Sequence, residues 1–215
     1  MSTLLETSLP LLAKGTATTL YLSVASTALA TLLGLVFASA QLFGGRVLRA
    51  VVEIYLYLIR GIPLLVLLFA MYYALPYAGI RIEPNTGGIL VIAAYFAAFM
   101  TEVFRGAVQA VPAAQWEAGR ALGLRTPRIL TDIVLVQAFR VAGTPYVNTV
   151  IMVVKGTSLV AIIGLADVTF VGRQIVERTL EPFAIFGAVA AVYFVICYAL
   201  SRLGRHLEKK ASYVH

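Results

Sequence analysis

Residues 16–42 read TATTLYLSVASTALATLLGLVFASAQL and contain no Asp, Glu, Lys, Arg or His. A helix needs about 20 mostly apolar residues to cross the hydrocarbon of a bilayer, so this run is long enough to span. It does not alternate polar with apolar, as the roughly ten-residue strands of a membrane β-barrel do. Inside lipid the backbone must satisfy its own hydrogen bonds, which leaves helix as its conformation. Ala30, Gly34 and Ala38 are small residues four apart, a spacing that lets a neighbouring helix approach closely.

Outward from this run lie four more of the same kind, at 51–76, 87–110, 141–165 and 183–203. The fifth repeats the small-residue spacing with Gly187 and Ala191. The chain reads as one all-α membrane domain, 1–215, of about five transmembrane helices. Composition agrees: 60% of residues are hydrophobic and 13% charged, where a soluble domain carries about 25% charge. Cys197 is the single cysteine, so no intrachain disulfide forms and the redox compartment stays open. Glu6 stands where a cleavable signal peptide has a basic segment. Residues 1–15, with Leu4, Leu5, Leu9, Leu11 and Leu12 beside Glu6 and Lys14, are expected to lie along the outer interface.

The net charge of +7 does not point to nucleic acid, because the cations sit in clusters between apolar runs. Arg46, Arg49, Arg120, Arg125, Arg128, Arg202, Arg205, Lys209 and Lys210 fall on one side. Arg105 and Arg140 lie at that same boundary, while the other side receives Lys14, Arg81, Arg173 and Arg178. The positive-inside bias then puts the N-terminus outside and the C-terminus in the cytoplasm.

The long cytoplasmic connection, 111–140, reads VPAAQWEAGRALGLRTPRILTDIVLVQAFR. Pro112 suits a helix start, Gln115–Leu122 a short helix, and Gly123 a left-handed end. Thr126 and Pro127 suit the cap and first position of a second helix. The segment is expected to form a helix–turn–helix knob on the cytoplasmic face.

These residues resemble the EAA motif of bacterial ABC-importer permeases, in Glu117-Ala118-Gly119 with Gly123, Ile133 and Leu135. Other stretches resemble the polar amino-acid branch of that family. They are Arg60-Gly61-Ile62-Pro63-Leu64-Leu65, Thr101-Glu102-Val103-Phe104-Arg105-Gly106 with Val111-Pro112, and Lys155-Gly156-Thr157-Ser158-Leu159-Val160 with Ile163-Gly164. Gly15, Thr18-Thr19-Leu20 and Ser23 fit as well. Gly119 replaces the family's usual second Ala, and Val136 stands where a Pro is usual. Gly156 stands where this branch often has an acidic or polar residue. That departure favours neutral or acidic substrates if both pore chains are identical.

The resemblance implies the type I permease fold of ABC importers, with short cytoplasmic coupling helices, in the bacterial cytoplasmic (inner) membrane. It implies a pathway shared with a second permease chain, identical or homologous. It also implies two ATP-binding cassette subunits and an extracytoplasmic substrate-binding protein. ATP and Mg would be bound by the partner subunits: the chain has no GxxxxGK[ST] phosphate loop, no metal-ligand cluster and no catalytic constellation. The expected function is import of polar or charged amino acids. Another small solute, or a non-ABC channel or carrier, is the alternative.

Charge inside the membrane is costly, so Glu102 and Lys155 are candidates for the substrate pathway. Thr144, Asn148, Lys155 and Ser158 fall near one helix face, and Thr157 lies within the same motif. Lys155 suits the carboxylate of a zwitterionic amino acid and Glu102 its ammonium. The other reading pairs these charges within the bundle, with each other or with Arg60 or Arg105. Coupling to the ATPase is expected at Glu117, Ala118, Gly119, Arg120 and Gly123, with Leu122 and Leu124 as apolar anchors.

Overall fold

The computed structural model describes the backbone of residues 2–212 and the side chains of residues 8–206, and every regular element among them is helical. Helix α1 runs unbroken over Ser2–Phe43, a length of about 63 Å. The stretch expected to lie along the interface is therefore continuous with the helix of the first span and no separate element. The side chains of Leu4, Leu5 and Glu6 lie outside the described residues. Helix α4, Pro84–Gln109, is the main partner of α1. Ala30 and Ala38 are buried, and a Cβ added at Gly34 would stand 2.5 Å from Met100 Cβ. The small-residue stripe is what lets the two backbones meet.

The second apolar run does not form one straight rod. Helix α2, Arg46–Gly61, and helix α3, Leu64–Phe69, meet at a bend of 99°. Pro63 caps α3, and Ile62 before it is extended, with φ −107 and ψ 130. A residue preceding proline is driven out of the helical region by the ring, which ends α2 there. A π turn, Ala70–Ala74, and a 3-10 turn, Leu75–Ala78, carry α3 onward.

After α4 come α5, Ala113–Ala121, and α6, Thr126–Arg128. A π turn, Ile129–Val134, joins α6 to α7, Leu135–Thr157, and a 3-10 turn, Ser158–Ile163, follows. The stretch Thr126–Ile163 is one continuous helical rod of 38 residues, about 57 Å long. That exceeds the roughly 30 Å of hydrocarbon, so one end of the rod projects from the membrane. Helix α8, Val168–Thr179, was not anticipated from the apolar runs; α9, Pro182–Ser212, closes the chain.

Among the described residues four helices are long and apolar enough to span, and the bent α2–α3 pair makes a fifth if it crosses as one broken span. Leu22 of α1, Leu68 of α3, Ile92 and Met100 of α4, and Val153 of α7 form the central core. A second cluster joins Leu12 to Val168, Val171 and Ile175 of α8 and to Ile185 and Val189 of α9. Gly187 and Ala191 are exposed, contrary to their reading as a packing stripe. On α9 the close approach is made by Gly204, whose added Cβ would lie 2.9 Å from Val147.

Candidate functional site

The α5–α6 segment forms a knob with its own core. Ala107, Val111, Ile129, Val134 and Ala138 are buried together, with Trp116 and Leu124 packed against them. Gly123 is left-handed at φ +73 and ends α5, its N–H bonded to Arg120 O at 2.9 Å. Leu124 N–H reaches Gly119 O at 3.1 Å. This is the pair of bonds by which a left-handed glycine satisfies the last carbonyls of a helix. Gly119 is buried, and a Cβ there would meet Ile129 Cγ1 at 2.8 Å. The glycine at this position lets α5 close onto Ile129. Glu117, Ala118, Arg120 and Ala121 face outward, and Leu122 is 77% exposed. Of the two expected apolar anchors only Leu122 is exposed; Leu124 packs inward. The cap before α6 is Arg125, with Thr126 and Pro127 in the first turn.

Along α7, Val141, Thr144, Asn148, Met152 and Lys155 are exposed at spacings of three, four, four and three, which keeps them on one face. Lys155 makes no ion pair among the described residues and lies within electrostatic reach of Cys197 on α9. Ser158 donates its hydroxyl to Lys155 O at 2.7 Å. Thr157 is fully buried and donates to Val154 O at 2.7 Å, so it faces the bundle interior. Gly156 lies against Phe96, whose Cε2 would be 3.0 Å from an added Cβ.

Glu102 takes its partners from α2 and from its own helix, not from Lys155. Arg105, one turn on, donates Nη2 to Glu102 Oε2, and Arg60 Nη2 stands 3.8 Å from Glu102 Oε1. Arg60 also donates Nε to Leu56 O at 3.2 Å. These charges line a cleft of 440 Å³ with Gln41, Glu53 and Tyr57.

At the end of the bundle opposite the knob, a second polar cluster went unnoticed in the sequence. Asp167 is fully buried and caps α8, accepting from Phe170 N–H at 2.8 Å. Tyr193 of α9 donates its hydroxyl to Asp167 Oδ2 at 3.0 Å, and Thr169 lies 3.1 Å from the same hydroxyl. Val168 N–H donates to Thr19 Oγ1 of α1 at 3.1 Å. Burial pushes the Asp167 carboxyl above the usual carboxylate range, while its hydrogen bonds, led by that from the Phe170 N–H, pull it back. The signal was present: Asp167 precedes Val168, Val171, Gly172 and Ile175, a cap followed by a helical apolar stripe.

Long spans, a packed knob and charges facing an open cleft define a membrane permease, a protein that moves a solute without transforming it. The chain belongs to the family of binding-protein-dependent transport system inner membrane components, whose profile matches residues 30–213. It is a transport subunit of an importer that works with an ATPase and a substrate-binding protein, and not an enzyme. It is 35% identical over 204 residues to the glutamine transport system permease protein GlnP of Escherichia coli (strain K12), covering 94% of this chain and 93% of that one. It is 33% identical over 202 residues to the L-cystine transport system permease protein TcyB of Bacillus subtilis (strain 168), covering 94% and 86%. Among solved structures, a chain of an amino acid ABC transporter crystallised with histidines superposes with a TM-score of 0.89 at 30% identity, covering 94% of each chain. The inward-facing MetNI methionine ABC transporter shares the fold, with a TM-score of 0.78 at 20% identity, covering 94% and 97%.

Proposed function

We propose that this chain is the amino-acid permease subunit of an ATP-driven importer in the bacterial cytoplasmic membrane. A second permease chain, identical or homologous, completes the pathway, and the knob docks this chain on the two ATP-binding cassette subunits beneath the pair. The N-terminus is outside and the C-terminus in the cytoplasm, which places the knob with the ATPase and the α8 end toward the binding protein. The amino-acid substrate class is supported by relatives named for glutamine and cystine transport. The mechanism rests on one observation: a single helical rod, Thr126–Ile163, joins the knob to the polar face of Asn148 and Lys155. A push on α5 at Glu117, Ala118, Arg120 and Leu122 is carried along that rod to the residues that meet substrate. Ser158 holds the turn beyond Lys155, and Thr157 anchors it in the core. Gly119 and Gly123 shape the knob itself.

The test is a pair of substitutions in the reconstituted complex. Lys155→Met keeps bulk and removes charge; assembly and basal ATP hydrolysis remain and transport is lost. Gly123→Val leaves membrane insertion intact, releases the ATPase subunits and abolishes transport, because Val is strained in left-handed backbone. A Gly123→Val protein that co-purifies with its ATPase and transports normally would remove the knob from the mechanism. A Lys155→Met chain that fails to assemble would make Lys155 a structural residue. A reporter fused after Tyr213 that is active only outside the cytoplasm would overturn the orientation.

A further inference from the structure

The cleft between α2 and α4 separates Glu102 from Lys155 and surrounds it with charges that the pathway reading does not use. Two guanidinium groups, Arg60 and Arg105, face two carboxylates, Glu53 and Glu102, around 440 Å³ of open space, with Gln41 and Tyr57 on the wall. The set is balanced in charge but not saturated. Arg60 and Glu102 stand 3.8 Å apart, beyond hydrogen-bond distance, with side-chain exposures of 42% and 30%. Arg105 Nε is buried without a hydrogen-bond partner. Glu53 has no ion-pair partner among the described residues.

Its depth matters too. Glu102 lies seven positions before Gln109, the end of α4, so it sits about 10 Å inside the knob end of the bundle. A charged group at that depth cannot face lipid at low cost. Their charge makes the cleft a place for polar occupants and not for lipid.

We propose that this cleft is a zwitterion-binding subsite at the knob end of the pathway, distinct from the α7 face that carries Lys155. The inference rests on the amino-acid reading above. A lone anion entering the cleft meets Glu102 and Glu53, and a lone cation meets both arginines. A molecule carrying one carboxylate and one ammonium satisfies both signs and adds no net charge. Its carboxylate takes the planar donors of Arg60 that Glu102 reaches only at 3.8 Å, in the paired geometry guanidinium offers. Its ammonium lies between Glu102 and Glu53.

The test reads the cleft directly. In the assembled complex in lipid nanodiscs, with Cys197→Ala as background, Tyr57→Cys is placed at the rim, where the native side chain is 80% exposed. The rate of its alkylation by a charged maleimide is measured with L-alanine, ethylamine or propionate present. At about 20 mM, twice a Kd of about 10 mM, alanine slows labelling about threefold. Ethylamine and propionate leave the rate unchanged, as does alanine at a Val47→Cys control on the same helix. Glu102→Gln removes the protection; Glu53→Gln, which leaves the Arg60–Glu102–Arg105 set in place, weakens it. The proposal is overturned by no protection in the parent, by equal protection from either single-charged analogue, by protection that survives Glu102→Gln, or by a Tyr57→Cys that does not label. Amino-acid uptake is measured in parallel with the same complex. Uptake without protection sinks the subsite and leaves the permease reading standing. Protection without uptake of any amino acid does the reverse.

Discussion

Asp167 and Glu102 are acids held near opposite ends of one bundle, and they are held differently. Asp167 is fully buried, caps a helix, and accepts from a backbone N–H and from Tyr193. With α1 bonded next door through Thr19, it ties three helices together. Glu102 is 30% exposed, shares two arginines, and borders open space. A closed cluster of this kind fixes a geometry, because every polar group has its partner and none can be spared. An open one leaves donors available for something that arrives. One end of the molecule is built to hold still and the other to exchange partners.

Asp167→Leu should break the comparison hardest. It strands the Phe170 N–H, leaves the Tyr193 hydroxyl with Thr169 alone, and removes the α8 cap. Leaving a buried group unpaired and losing a cap together cost roughly 2–4 kcal/mol. A fall in the thermal midpoint of the detergent-purified chain, followed by circular dichroism, measures it. An unchanged midpoint would mean that the α8 end does not depend on this cluster.

Glu102→Gln is the matched change at the other end, with a smaller expected effect. The carboxylate is partly solvated and one of its two ion pairs is long, so its loss should cost less than about 1 kcal/mol. The same melt measures it. If Glu102→Gln destabilised the chain as much as Asp167→Leu, the cleft would be a structural tie rather than a place for exchange.

These two clusters also separate what the sequence disclosed from what it did not. The spans were legible because lipid demands long apolar runs, and a close helix contact on α1, though not its partner, because Gly34 sits in a small-residue stripe. The knob was legible because Gly123 and Pro127 mark helix ends. The Glu102–Arg105 pair follows from three-residue spacing on one helix. Arg60 was named as a partner on charge alone, and its approach accompanies a 99° bend that turns one apolar run into two helices. Pro63 was in plain view as its cause, but an unbroken stretch of hydropathy masked it. Helix α8 was missed for the complementary reason: it is too short and too polar to register among spans. Gly187 and Ala191 misled because small-residue spacing does not say which face of a helix finds a partner.

The smallest effect should come from pH, and it sharpens the contrast by setting Asp167 against a second helix cap. Glu83 caps α4 much as Asp167 caps α8, accepting from Thr86 N–H at 2.9 Å, but it is exposed. The backbone N–H of Thr86, then that of Asn85, holds the Glu83 carboxyl below its usual range, whereas burial pushes Asp167 above its own. The signs are therefore opposite. A raised acid contributes stability fully below its unfolded pKa and loses it as pH rises through the folded value. A lowered acid contributes above its unfolded pKa and loses it as pH falls through the folded value. The midpoint difference between the parent and Asp167→Asn should be widest near or below about pH 4, the ordinary Asp range, and shrink toward neutrality. The difference between the parent and Glu83→Gln should be widest near neutrality and shrink as pH falls below about 4. Asn keeps the cap at 167, so the first difference reports the carboxyl's ionisation and not the loss of a helix end. Two curves of the same sign would mean that burial does not govern Asp167.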